Sequence, residues 1–227
     1  MISKKIKFIM MGTVLMLQLA CSGKAPEQTL EVSTLDYISN SGEAKYELKI
    51  PQIVDEKSED IAYFNIAMQE ESRYILENLS SEKNDGKIQE AYMSYDVHKN
   101  DFGVLSITLM TNAYTGGAHF INKLESFNIN LKDNSILLFD KLIKEDGIEY
   151  FNMRINDMIK NKEKVVNLQG KEVMFFENCD ANLINSVIYF EGDKMVFVFP
   201  EYDLAPYSSG MPVFKFNKKD VKKYLNI

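Results

Sequence analysis

Scarcity defines this sequence before any motif does. Its two cysteines, Cys21 and Cys179, are too few for the disulfide framework that staples small exported domains. The two histidines, His98 and His119, show neither HxxxH nor HExxH spacing, so no metal centre is recognisable and no metal or cofactor is expected. Five prolines and 11 glycines, with 45% hydrophobic and 26% charged residues, exclude collagenous and disordered classes and describe a globular chain. Basic charge is short as well. The 26 Lys and Arg against 33 Asp and Glu leave a net charge of −7, and phosphate binding needs clustered cations, so nucleic acid is excluded as a partner. No GxSxG elbow or Cys–base motif occurs, and carboxylate pairs arise by chance among 33 acids, so the chain is expected not to be an enzyme. At 227 residues it holds one domain or two small ones, with no room for a second large catalytic domain.

What is present begins at the N-terminus. Lys4, Lys5 and Lys7 precede an apolar run from Phe8 to Leu17, followed by Ala20 and Cys21, which is the layout of a secretory signal peptide. That run falls short of the roughly twenty residues a spanning helix needs. The ending Leu17-Gln18-Leu19-Ala20-Cys21 resembles a bacterial lipobox, with Gln18 where an aliphatic residue is usual. Lipidation at Cys21 is therefore expected, with an uncleaved anchor or ordinary secretion as the alternatives. Residues 1–20 read as the signal peptide and 21–29 as a tether, which puts the working domain outside the cytoplasmic membrane, anchored by lipid. Losing the three leader lysines makes the mature chain still more acidic.

Periodicity organises the remainder. Strands are expected at Thr29–Tyr37 and Tyr46–Val54, joined through Ser39-Asn40-Ser41-Gly42. Ser58 is placed to cap a helix with Glu59 and Asp60 in its first turn and a buried stripe of Ile61, Phe64, Met68, Ile75 and Leu79. Alternation from Gln89 to Val97 puts Ala91, Met93, Tyr95 and Val97 on one strand face, and two further strands, carrying Leu105-Ile107-Leu109 and Phe127-Ile129-Leu131, complete a meander. Ile136–Leu142 is expected to run into a second amphipathic helix bearing Ile148, Phe151, Ile155, Met158 and Ile159. A hairpin, Val187–Phe190 with Met195–Phe199, a strand at Val213–Phe216 and a helix near Asp220–Leu225 follow. Helices that separate groups of strands argue an α+β fold, with mainly antiparallel sheets packed against two amphipathic helices and a short C-terminal helix.

Three stretches carry a resemblance. Tyr114-Thr115-Gly116-Gly117-Ala118-His119, Ser126-Phe127-Asn128-Ile129 with Leu138-Phe139-Asp140-Lys141-Leu142, and Tyr202-Asp203-Leu204-Ala205-Pro206-Tyr207-Ser208-Ser209-Gly210 resemble the C-terminal extracytoplasmic domain of RsiV-type anti-sigma factors. The same domain accompanies the catalytic domain of the peptidoglycan deacetylase PdaC. The stretch Tyr46–Pro51, with the helix around Asn65, resembles the small domain of unknown function that commonly precedes it. The resemblance spans roughly residues 30–226 and divides the chain into 30–86 and 87–227. It implies an exported envelope protein and a receptor role, since the RsiV domain binds lysozyme. With neither a sigma-binding segment nor a deacetylase domain expected, the chain reads as the binding module alone on its anchor. Phe120 stands where most relatives have Gly after the histidine.

The candidate ligand-binding residues are Tyr114, Thr115, Gly116, Gly117 and His119 in one loop and Tyr202, Pro206 and Tyr207 in another. Paired glycines allow close backbone approach, which serves a ligand cradle or a plain structural corner. Amphipathic aromatics suit an interface, although Pro206 shaping a turn and Tyr207 filling core is the competing reading. The expected partners are lysozyme or another basic envelope protein, peptidoglycan fragments, and the membrane through the anchor. A cell-wall hydrolase or deacetylase with an unrecognised centre, or a structural lipoprotein, are the alternatives. Cys179 is expected to be a small buried hydrophobe.

Overall fold

The computed structural model describes residues 30–39, 45–54, 58–79 and 88–227; the leader, Cys21, the tether and the turn residues Asn40–Gly42 lie outside the described residues. The fold is α+β with mostly antiparallel strands. Strands β1 (Val32–Ser39), β2 (Lys45–Ile53), β3 (Glu90–His98), β4 (Val104–Tyr114) and β5 (Ile121–Asn130) form one sheet in chain order. A second sheet has the order β6 (Val166–Asn167), β9 (Pro212–Asn217), β8 (Lys194–Val198), β7 (Val187–Glu191). The chain forms two compact units: the described residues up to Tyr95 with Asn112–Ile121, and Asp96–Thr111 with Asn122–Ile227.

In the first unit β1 pairs antiparallel with β2, and β2 pairs parallel with β3 through the crossover helix α1 (Glu59–Glu77). Ser58 caps α1 as expected, its Oγ accepting from the Ile61 N–H at 3.4 Å. Ile61, Phe64, Met68 and Ile75 are buried, whereas Leu79 is half-buried beyond the helix end, in a bridge with Ile88. Asn65 fastens helix to strand, accepting from the Ile53 N–H at 2.8 Å and donating to the Ile53 carbonyl at 2.9 Å. In β3, Ala91 and Met93 are buried, as their alternation requires. Val97, at the start of the second unit, breaks the pattern and lies 43% exposed.

In the second unit β8 and its neighbours are buried on both faces, and this explains why Met195-Val196-Phe197-Val198-Phe199 reads as an unbroken apolar run. One face, with Phe190, Phe197, Phe214 and Phe216, packs on Phe151 and Ile155 of α3 (Glu145–Lys160). Phe151 is the hub, its ring 4.9 Å from Phe197 and 5.3 Å from Phe216. The other face buries Tyr189, Val196, Val198 and Val213 against Met110, Leu124 and Leu168.

The expected run-in to the second helix is corrected. Ile136 bridges Ile129, α2 (Phe139–Leu142) is one turn, and Ile143 and Lys144 are extended before α3 begins. Tertiary pairing breaks the helix there, because Ile143 bridges Leu225 and the Lys144 N–H donates to the Tyr224 carbonyl. The C-terminal helix is α4 (Lys218–Val221), continued by a 3-10 turn over Lys222–Tyr224. Cys179 is half-buried at the margin of the core instead of inside it, its thiol donating to the Phe176 carbonyl at 3.5 Å. Among the described residues no helix is long and apolar enough to cross a membrane.

Candidate binding surface

The first candidate loop is the β4–β5 connection. Tyr114 ends β4, its carbonyl accepting from the Gln89 N–H at 2.7 Å. Gly116 adopts φ +86°, a conformation glycine takes without steric cost, and Gly116, Gly117 and Ala118 form the exposed tip. Thr115 and His119 are half-buried, with His119 donating from Nδ1 to the Phe120 carbonyl at 2.8 Å. Phe120 packs its ring 5.4 Å from Tyr114 and 6.0 Å from Tyr92, so three aromatics form the base of the loop. The Tyr92 hydroxyl donates to Glu90 at 3.0 Å, and that bond raises its pKa. His119 is thus held by a neighbouring backbone carbonyl beside an aromatic base.

The second loop, Glu201–Gly210, is pinned from beneath by buried polar groups. Asn167 donates from Nδ2 to the Ser209 carbonyl at 2.9 Å, and its Oδ1 accepts the Gln169 and Lys171 N–H groups, each at 2.9 Å. The buried Ser209 hydroxyl donates to the Met174 carbonyl and accepts from the Met174 N–H, both at 3.3 Å, which commits it to structure. Gly210 closes the loop at φ +67°, and a Cβ there would stand 2.9 Å from Asn167 Nδ2. Above these anchors Tyr202, 56% exposed and itself at φ +67°, stacks on half-buried Tyr207 with centroids 6.0 Å apart. Pro206 precedes the 3-10 turn of Tyr207–Ser209.

Three residues beside this loop escaped sequence reasoning. Met174 (71% exposed), Phe176 and Ile184 are exposed large hydrophobics on segments tied to it. The ties are the Met174–Ser209 bonds, the Phe176 N–H to the Leu204 carbonyl at 3.0 Å, and Asn185 to Asp203 at 3.1 Å. They lie in an irregular strap and a 3-10 turn, where no periodicity announces a face. Asp203 Oδ2 is buried without a hydrogen-bond partner.

Two families match this chain. Residues 38–121 match the family described as Deacetylase PdaC, and residues 138–219 match the family described as Protein of unknown function (DUF3298). Neither match shows what this chain does. Its fold is similar to that of a DUF3298 family protein from Pseudomonas aeruginosa PAO1, at TM-score 0.56 and 13% identity, over 87% of this chain and 94% of that one. A member of the same family from Bacteroides fragilis NCTC 9343 gives TM-score 0.52 and 15% identity, over 88% and 94%. No curated protein matches the chain.

The Thr115–His119 loop therefore lies in the PdaC-matching segment and the Glu201–Gly210 loop in the DUF3298-matching segment. The latter also holds a cleft of about 740 Å³ between the end of α3 and residues 172–180, lined by Lys160, Lys162, Glu163, Phe175, Phe176 and Cys179. Two of its carboxylates are paired: Arg154 holds Glu163 at 2.9 and 3.2 Å, and Lys160 reaches Asp180 at 3.6 Å. Burial pushes the Cys179 pKa up, so the thiol stays protonated and weakly nucleophilic. Among the described residues no group of three or more His, Cys, Asp or Glu side chains is placed to hold a metal ion.

Proposed function

We propose that the chain is a binding module of the bacterial envelope, lipid-anchored at Cys21 and facing outward, that captures a protein or cell-wall ligand without catalysis. Lysozyme and peptidoglycan fragments are the ligands proposed. One observation carries the reading: the exposed Tyr202, stacked on Tyr207, stands on a loop fixed from below by Asn167, Ser209 and Gly210. Rigid amphipathic rings give contact area at low entropic cost, and a pinned loop is pre-organised to bind. A strained φ at a non-glycine residue is a feature that clusters at ligand clamps. Met174, Phe176 and Ile184 add apolar area on adjoining segments. The net charge of −7 favours encounter with a basic protein in a salt-dependent manner.

Calorimetry of the mature protein with lysozyme and with purified muropeptides tests this. Binding to one of them, weakened by Tyr202→Ala and by Tyr207→Ala, is expected, and silence with both ligands rejects the reading. Turnover of purified peptidoglycan that disappears in His119→Ala would reject the non-catalytic part. Intact mass of the membrane-extracted protein tests the anchor, since diacylated Cys21 must be its first residue.

A further inference from the structure

We infer that the outward face of α1 is a second docking surface, for a basic segment in which lysine or arginine alternates with apolar side chains. This face is independent of the loop in the preceding reading. Tyr63, Ile66 and Tyr74 are 69%, 59% and 61% exposed on a helix whose opposite side carries the buried Ile61, Phe64, Met68 and Ile75. At about 100° per residue the three exposed side chains fall within roughly one quarter of the circumference and span about 16 Å of helix. An amphipathic helix that needed only to cover its sheet would present polar residues there.

The same stripe bears carboxylates between the apolar positions. Glu59, Glu70 and Glu77 share its angular sector, so the order along the helix is Glu59, Tyr63, Ile66, Glu70, Tyr74, Glu77. The helix's one basic side chain, Arg73, bridges Glu70 and Glu77, which leaves the stripe of Glu59, Glu70 and Glu77 with a net charge of −2 and Glu59 as its carboxylate outside that bridge. Anionic lipid headgroups and acidic proteins are repelled by such a stripe. A cationic segment meets that residual negative charge while its apolar side chains cover the rings, and its lysines or arginines can also sit on the tyrosine faces.

The test uses the full chain and a synthetic amphipathic Leu/Lys peptide of about 18 residues, with its Leu/Glu counterpart as control, followed by anisotropy and by amide shifts. Expected is Leu/Lys binding with shifts along Glu59–Glu77, weakened about tenfold or more by Tyr63→Ser/Ile66→Ser/Tyr74→Ser, whose buried face is intact and whose fold is checked by circular dichroism. Glu59→Gln/Glu70→Gln/Glu77→Gln should weaken it too and flatten its salt dependence, while Tyr202→Ala leaves it unchanged. Equal binding by the triple serine variant, equal binding of the Leu/Glu peptide, or loss only in Tyr202→Ala would overturn the inference. So would a wild-type dimer in sedimentation that the serine variant abolishes, since the occupant would then be a second copy.

Discussion

Replacing Gly210 by alanine isolates how firmly the tyrosine loop is held. Two penalties act at this position. Alanine at φ +67° carries a backbone strain of about 1–3 kcal/mol. Its Cβ would also stand 2.9 Å from Asn167 Nδ2 and 3.2 Å from Gln169 Oε1. Asn167, 5% exposed, cannot retreat without loosening its bonds to the Ser209 carbonyl and to the Gln169 and Lys171 amides. One such bond lost in the interior adds about 1–3 kcal/mol. The sum, roughly 2–6 kcal/mol, corresponds to a fall in melting midpoint of about 4–24 °C for a chain of this size. Two other glycines separate the terms. Gly170 lies at φ +76° with open space about its Cβ position, so Gly170→Ala should cost only the strain, about 1–3 kcal/mol. Gly117 has open space and no such φ, and Gly117→Ala should stay within about 0.5 kcal/mol. Circular dichroism melts of the three variants read the order directly. If Gly210→Ala melts with Gly170→Ala, Asn167 gives way freely and the loop is not pinned as argued.

Phe151→Ala empties the aromatic hub of the second unit and should destabilise by about 3–5 kcal/mol in denaturant titration, with no matching loss at exposed Met153→Ala. Asn128→Ala removes a buried link in which Ser106 Oγ donates to Asn128 Oδ1 at 2.6 Å and Asn128 Nδ2 donates to the Ile188 carbonyl at 2.7 Å. Stranding those partners should cost roughly 2–4 kcal/mol, read in the same titration, and restoration by Asn128→Asp is not expected because a carboxylate cannot donate to Ile188. His98 lies beside Tyr189, ring centroids 4.4 Å apart, with Nε2 2.8 Å from Thr108 Oγ1. Burial lowers its pKa; Glu191 and Asp96 oppose this and Lys215 assists it. The unfolded chain therefore takes up the proton first, so this contribution to stability is complete above the ordinary imidazole value of about 6.5 and declines as pH falls below it. Melting midpoints from about pH 7.5 to 5.5 should drop more steeply in the wild type than in His98→Gln. Tyr189, whose pKa burial pushes to about 12, stays neutral throughout that range.

The sequence by itself determined the α+β class, the capped helix after Ser58 and the hairpin across Gly192-Asp193, because each rests on local physics: period, cap chemistry and turn residues. It also singled out the Thr115–His119 and Tyr202–Gly210 loops. What those residues do was decided by tertiary contacts. Asn128, within the Ser126–Ile129 motif, acts as a latch to β7, and Ser209 is spent on the Met174 backbone, neither of which spacing can show. The helix expected to continue from Leu142 stops because Ile143 finds Leu225, a partner some eighty positions away. The exposed Met174, Phe176 and Ile184 beside Tyr202 follow from where an irregular strap is fastened, and hydrogen bonds between distant segments, not residue periodicity, fix that place.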